Sequence, residues 1–483
     1  MGDYQQRVIN DGNKASLDLG SLVRDTKKFS GACIEEFSYP GGSVHLLFPP
    51  SAMNIAVIPV SGRHDTTEPY ESAMSFVRHS AQLARRLGMH PIGITNILDL
   101  SDIDNQKIIP AAKQGLYDGA EKERVWIANG ETAGLGERVT VPFNISGAVV
   151  AYVSRNDIRT GLHNYDGTQF SVSWHSNFGV YTNCDGNGTK PEWNERLYSM
   201  GMPFARELVQ DGTAMLWDDA VKINADVIHD ARVLELREPN TRAAEEVHAE
   251  LRQLLKKNGA FSALKVLIAG ENISGYGECP MNLSGTTVSL VNPRELRHMP
   301  IPKDGDTVMG FYNRDCRNLR ANGITDQRKA LVQAYGDDWH VKRTSLLKQV
   351  AAPSTVFYEF FKDLFSRNLA THVGHFSGGA YEGKFAKVLG KFGLGAGLEM
   401  EGGSFEAQEM LMRLQGQSLE QICRKQPYRL EAWATTRDPE KVMFAARDFG
   451  YTAIELGTAR KMESPALRMT FTDRGETVSF PGA

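Results

Sequence analysis

The chain has 483 residues, which at roughly 150 residues per domain is room for about three domains. Hydrophobic residues make up 41% and charged residues 23%, a globular composition that excludes a disordered or fibrous chain. Lys plus Arg number 54 against 58 Asp plus Glu, a net charge of −4, so no basic excess exists to neutralise a phosphate backbone and nucleic acid is not an expected partner.

No apolar run approaches the roughly 18 residues of a membrane span, so no membrane partner is expected. The opening residues lack an apolar signal-like core, and the expected location is cytoplasmic. Cys33, Cys184, Cys279, Cys316 and Cys423 are scattered and form no CxxC pair. They read as free thiols, not as a disulfide framework or a zinc site.

In chain order, residues 15–36 read as a helix-prone lead with Leu17, Leu19 and Leu22. The apolar run 54–60 predicts a buried strand, and 70–88 predicts a helix with Met74, Val77, Ala81, Ala84 and Leu87 at helical spacing. Strands are expected at 92–98, 125–128 and 147–153. The pattern then restarts. A strand at 179–182 leads into the loop 185–190, followed by a helix at 203–225, a strand at 231–236, an amphipathic helix at 242–257 and a strand at 265–269. Beyond Pro300 the spacing predicts a strand near 305–311, helices at 325–335, 355–368 and 438–449, glycine loops at 374–379 and 393–397, and a strand at 452–456. Helices alternating with strands make the fold class α+β, or mixed α/β.

The restart is a repeat. WIANGETAGLGE…PFNISGAVVAYV at 126–153 returns as LIAGENISGYGE…PMNLSGTTVSLV at 267–291. Each copy has a Gly-Glu, a Gly-x-Gly-Glu turn, and Pro-x-Asn-x-Ser-Gly opening a strand. The Ser-Gly glycines, Gly147 and Gly285, lie 138 residues apart. Sheets with an exposed edge need partners, and the other copy is tethered nearby. The two copies are therefore expected to pair their sheets within one chain, as a pseudo-dimer.

The sharpest chemical signal is Asp185-Gly186-Asn187-Gly188-Thr189-Lys190. Two glycines free the backbone to wrap an anion. Asp185 can hold Mg²⁺, Thr189 can donate to a phosphoryl oxygen, and Lys190 can neutralise a transferring phosphate. A lysine in such a loop is expected to be unpacked. The loop is not a Walker A motif, and a plain Asp-Gly hairpin turn is its bland alternative. Asp218 and Asp219 are adjacent on a helix and point about 100° apart, so only one faces inward. Asp219 is the candidate second metal carboxylate. Glu131 and Glu271 each follow a glycine at an expected strand end, where ligands gather in α/β folds. His372 and His375 lack a third ligand nearby, so a phosphate-binding glycine loop beside His375 is preferred to zinc.

Taken together, these residues resemble aminoimidazole ribonucleotide synthetase, the phosphoribosylformylglycinamidine cyclo-ligase family. The family's DGVGTK loop is similar to Asp185–Lys190, and its Asn-Asp pair to Asp218-Asp219. Its GGETAEM turn is similar to Asn129–Ala133 and Ala269–Glu271. GDTVMGF at 305–311, Arg320-Ala321-Asn322-Gly323 and Gly374–Gly379 resemble motifs of its C-terminal half. The likeness runs over about 170–483, with 40–160 as a weaker extra copy whose expected phosphate loop, Arg63–Glu68, has neither lysine nor glycine. The family's YRTFNMG segment is reduced to Tyr428–Trp433.

The resemblance implies ATP and Mg²⁺ as cofactors, a small-molecule ribonucleotide as substrate, and a homodimer as a compatible assembly. It implies catalytic roles for Lys190 and Asp185 and a nucleotide site with Gly186, Gly188, Thr189, Glu131 and Glu271. It implies substrate contacts from Arg320, Asn322, Gly378 and Gly379, and metal contacts from Asp185 and Asp219. The implied domains are 1–165, a lead and degenerate first copy; 166–300, the second copy with its loop; and 301–483, the C-terminal domain. The alternatives are another ATP-using enzyme such as thiamine-monophosphate kinase, or a non-catalytic nucleotide-binding scaffold.

Overall fold

The apolar run at 54–60 becomes strand β3 (Met53–Ser61), and its alternation sets the layering. The computed structural model describes residues 21–62, 68–102, 107–174, 178–313, 323–400, 406–463 and 466–482. Ala56, Ile58 and Val60 pack with Phe76, Ala81 and Leu116 of two helices, α1 (Pro69–Arg86) and α2 (Ile108–Glu123). Ile55 and Val57 join a different cluster, with Val180, Ala231 and Val288. Period two thus gives the strand one face for helices and one for a second sheet.

The chain forms two compact units. The first comprises Met1–Phe37, Val44–Gly212 and Ala225–Pro293. It contains a six-stranded sheet of order β5-β4-β6-β3-β8-β7. Its strands are β3, β4 (His90–Leu100), β5 (Trp126–Gly134), β6 (Phe143–Ser154), β7 (Gly161–Tyr165) and β8 (Thr168–Ser173). The other sheet has order β1-β2-β9-β12-β10-β11. It is built from β1 (Cys33–Tyr39), β2 (Gly42–Phe48), β9 (Gly179–Gly186), β10 (Asp226–Leu236), β11 (Phe261–Ile268) and β12 (Met281–Val291). Helices α3 (Pro191–Ser199), α4 (Ala205–Val221) and α5 (Thr241–Asn258) connect its strands.

The orders β3-β6-β4-β5 and β9-β12-β10-β11 are the same topology. In each, the last pair is parallel and the other pairs antiparallel. The registers match residue by residue. Ser146 lies opposite Ser61 and Ile97, and Ser284 lies opposite Gly186 and Val233. The hydroxyls of Ser146 and Ser284 are 2.7 Å apart, so the pseudo-two-fold axis passes between them. The two sheets face each other within one chain, as expected from the repeat.

The hairpins are exchanged. β1–β2 precedes the first set of strands yet pairs with β9 of the second, through Leu47 and Val180. β7–β8 precedes the second set yet pairs with β3 of the first, from Ile55 opposite Ser173 to Val57 opposite Ser171. Neither hairpin was expected. Residues 33–36, read as the tail of a helical lead, instead begin strand β1.

Register also corrects the repeat alignment. Gly136-Glu137 and Gly270-Glu271 are the equivalent pair, each opening a short 3₁₀ turn with a glycine at φ 58°. Gly130-Glu131 instead lies inside β5. The first-half counterpart of Asp185 is Val60, since each sits opposite a Ser-Gly glycine, Gly285 and Gly147. The expected counterpart, Arg63–Glu68, begins too late, and its residues 63–67 lie outside the described residues.

The second unit comprises Ser38–Ser43, Thr213–Asn224 and Arg294–Ala483. Its seven-stranded sheet runs β14-β16-β13-β17-β15-β18-β19. The strands are β13 (Thr307–Asn313), β14 (His372–His375), β15 (Leu394–Glu399), β16 (Ala432–Thr436), β17 (Tyr451–Lys461), β18 (Ala466–Phe471) and β19 (Glu476–Pro481). The expected glycine loop at 393–397 is largely strand β15. Gly395 is needed there because a Cβ would meet the Ala466 backbone at 2.4 Å. Among the described residues, no helix is long and apolar enough to cross a membrane.

Candidate functional site

Asp185 and Gly186 end strand β9, and Lys190 directly precedes helix α3. The loop between them is tied down from several sides. Asp185 Oδ1 accepts the Gly186 N–H at 2.7 Å. Asn187 donates its side-chain amide to the Leu208 carbonyl at 2.7 Å and its backbone N–H to the Leu283 carbonyl at 2.9 Å. Gly188 has φ 61°, a left-handed conformation that favours glycine.

Lys190 is 4% exposed, and its Nζ lies 2.5 Å from Asp211 Oδ1 on α4. This corrects the expectation of an unpacked lysine: the ammonium is held in a buried ion pair. Beneath it, Arg232 pairs with Asp230 at 2.8 Å, both fully buried. A Cβ at Gly212 would lie 2.4 Å from the Arg232 guanidinium and 2.6 Å from Asn187 Oδ1. Glycine there lets α4 close over both groups.

The first half reaches this loop across the axis. Asn129 donates to the Thr182 carbonyl at 2.8 Å, and Thr182 donates back to the Ala128 carbonyl at 3.1 Å. The buried Cys184 thiol is pushed well up by burial, then by the charges of Glu131 and Asp185. The charge of one carboxylate from each half is therefore felt at the same thiol. Glu131 is mid-strand, not at a strand end, because β5 continues along β4 to Gly134. Glu271 sits in its 3₁₀ turn instead, where its carbonyl accepts the Thr140 hydroxyl.

Two further acids lie under the loop. A Cβ at Gly186 would be 3.7 Å from Asp99 Oδ1. Asn282 donates its amide to Asp99 at 2.8 Å and to Glu235 at 3.1 Å. Asp99 and Glu235 are register equivalents, paired with Asn144 and Asn282. Burial pushes Asp99 up to about 6, against the pull of Asn282 and Arg138. Burial, then the Asp99 charge, pushes Glu235 up to about 7. Sequence spacing could not pair them, because strand pairing across the axis brings them together.

Arg138 donates to Glu195 at 2.7 and 3.2 Å. Glu195 also accepts the N–H groups of Tyr276 at 2.7 Å and Met281 at 2.9 Å. The Gly-x-Gly-Glu turn of the second half thus wraps a buried carboxylate. Gly275 is required because a Cβ there would strike the Glu195 oxygens at 2.4 and 2.6 Å.

In the second unit, Asp218 is the inward carboxylate, 0% exposed, and its Oδ2 accepts the Phe357 N–H at 3.1 Å. Burial pushes it well above the usual carboxylate range. Asp219 is 29% exposed at its side chain, pairs with Lys222, and lies 3.7 Å from His375 Nδ1. Burial opposes its ionisation, but Lys222 and Lys384 hold it below the usual range. Burial, then Lys222, keeps His375 neutral. His375 ends β14, just ahead of Gly378 and Gly379, the latter at φ 84°. Arg320 and Asn322 lie outside the described residues. Within the Tyr428–Trp433 segment, Arg429 donates to Asp473 at 2.9 and 2.6 Å.

No family model matches the chain. Phosphoribosylformylglycinamidine cyclo-ligase of Pyrococcus furiosus is 25% identical over 170 residues, covering 35% of this chain and 48% of the relative. The cyclo-ligase of Thermococcus gammatolerans is 25% identical over 209 residues, covering 42% and 57%. The chain spans about half the length of these curated relatives. Among solved structures, thiamine-monophosphate kinase from Stenotrophomonas maltophilia aligns with a TM-score of 0.42 at 14% identity, covering 64% of this chain and 91% of that one. Hydrogenase maturation protein HypE in complex with ATP aligns with a TM-score of 0.40 at 10% identity, covering 63% and 84%. The likeness to cyclo-ligases thus extends beyond the individual motifs to an aligned stretch of the chain.

Proposed function

We propose that the protein is an ATP-dependent ring-closing synthetase that converts formylglycinamidine ribonucleotide to aminoimidazole ribonucleotide, ADP and phosphate. The observation that carries this reading is the loop Asp185–Lys190, pinned by Asn187 and Asp211. The partial sequence likeness to cyclo-ligases supports it.

The donors fit Mg²⁺, a hard cation usually held by one or two carboxylates plus substrate phosphates and water. Asp185 and Glu131 supply carboxylate oxygens. Bound there, Mg²⁺ would neutralise phosphate charge. Asp219 of the second unit is a further proposed Mg²⁺ carboxylate, held ionised by Lys222 and Lys384. Lys190 stabilises charge on the transferring phosphoryl group, and Thr189 donates to one of its oxygens. Gly186 and Gly188 let the backbone approach ATP. The substrate phosphate is assigned to Arg320, Asn322, Gly378 and Gly379. The domain division at 165 and 300, a ribonucleotide as the small-molecule partner, and a cytoplasmic setting belong to the same proposal.

The reaction needs positioning more than covalent help from the protein. The formyl oxygen attacks the γ-phosphorus and ADP leaves. The substrate nitrogen then attacks the activated carbon, the C–O bond breaks, and phosphate departs with loss of a proton from nitrogen. The test is turnover with Mg-ATP and formylglycinamidine ribonucleotide. Equal amounts of ADP, free phosphate and aminoimidazole ribonucleotide are expected. ADP formation with phosphate retained on an organic product would make it a kinase. ATP binding without turnover would make it a scaffold.

A further inference from the structure

The pseudo-two-fold axis generates a counterpart of the Asp185 loop in the first half, and that counterpart is an open cleft. Val60, Ser61 and Gly62 form one wall, at the register positions of Asp185, Gly186 and Asn187. Lys265 of β11 contributes from across the axis, as Glu131 of β5 does on the other side. The correspondence is fixed by register. Glu131 lies opposite Ile97 and Lys265 opposite Val233, and Ile97 and Val233 lie opposite the equivalent serines, Ser146 and Ser284.

The chemistry has been inverted. The acid pair Asp185 and Glu131 is replaced by Val60 and Lys265. His79 and Arg86 of α1 also line the cleft, and no acidic residue lines it among those described. Its volume is about 600 Å³, within the usual range for small-molecule sites. A carboxylate-lined site takes phosphate only with a bridging cation. A site lined by an ammonium, a guanidinium and an imidazole meets phosphate charge directly through charge-assisted hydrogen bonds.

We propose that this first-half cleft is a second ligand site, which binds a phosphorylated small molecule without a divalent cation. It does not depend on the ring-closing reaction assigned to the other half.

Calorimetric titration of the whole chain with inorganic tripolyphosphate, in EDTA, tests it. Saturation near one equivalent is expected, and Lys265→Glu and Arg86→Glu should each weaken it by about tenfold or more. Asp185→Asn should leave it unchanged, which separates this site from the proposed catalytic one. A thermal melt shows whether each variant is folded, and Arg86, being exposed, is the safer of the two. ADP titrated under the same conditions distinguishes the source of the phosphate. Tighter ADP binding assigns a nucleotide, and tighter tripolyphosphate binding assigns a bare polyphosphate. No binding in EDTA would overturn the proposal. So would binding that Asp185→Asn abolishes and Lys265→Glu leaves intact.

Discussion

Arg138, from the first half, grips Glu195, from the second, through two hydrogen bonds of 2.7 and 3.2 Å, with both side chains almost wholly buried. Removing one partner of a buried ion pair strands the other charge, at a cost of about 3–5 kcal/mol. Arg138→Ala should therefore lower stability by that amount in urea unfolding, and Glu195→Ala should match it. A double change to leucines should recover only part of the loss, because the Tyr276 and Met281 N–H groups lose their acceptor. Full stability in Arg138→Ala would show that the clamp does not join the halves.

Lys190 should show two separable effects. Lys190→Ala should reduce turnover by about a hundredfold or more, through loss of charge stabilisation at the phosphoryl group. It should also destabilise the fold by about 3 kcal/mol, because Asp211 is left buried beside an empty position. Lys190→Met with Asp211→Leu should restore the fold and not the turnover. If activity returned along with stability, the lysine would be structural only.

The central strands were legible because their residues are apolar on both faces, as in β3, where seven consecutive residues are buried. The repeat was legible through Pro-x-Asn-x-Ser-Gly, whose serines meet at the axis. The exchanged hairpins were not legible. β1 buries one residue of its seven and β7 buries none, so their sequences resemble loops. Glycine misled the reading of Glu131. Gly130 is needed for close approach, since a Cβ would lie 2.9 Å from the Asn96 amide, and it does not mark a turn. Lys190 with Asp211, and Asp99 with Glu235, are brought together by strand and helix packing that no local spacing encodes.

Asp218 and Asp219 should separate cleanly. Asp218 holds the Phe357 N–H at the start of the helix Tyr358–Ser366, so Asp218→Ala should cost about 1–3 kcal/mol in thermal or urea unfolding. Asp218→Asn should be milder, because its amide oxygen can still accept the Phe357 N–H and burial already disfavours the charged carboxylate. Asp219→Asn should lower stability, since Lys222 loses its partner, and raise the Mg²⁺ concentration needed for activity. If its Mg²⁺ dependence were unaltered, Asp219 would not be a metal ligand.

Asp99 and Glu235 should make stability fall as pH rises. In the unfolded chain they titrate near ~4. In the folded chain burial raises them to about 6 and about 7, so the folded state keeps its protons longer. Their favourable contribution is complete below the unfolded values and is lost as pH climbs through the folded ones. The variant Asp99→Asn with Glu235→Gln should gain several kcal/mol over wild type, up to about 6, between about pH 4.5 and about pH 8.5. Urea midpoints across that range would check it, and a constant difference would remove these two carboxyls from the pH response.

The exchange of hairpins bears on how the two clefts can diverge. In a pair of identical chains, every substitution is made twice, and a change that emptied one site of acids would empty both. Here β1–β2 and β7–β8 lock unlike halves of one chain together. Valine can stand where the other half has Asp185, and lysine where it has Glu131, while each half still completes its neighbour's sheet. Strand exchange thus lets a single gene rewrite one cleft and preserve the other, a freedom that a symmetric assembly of identical subunits does not have.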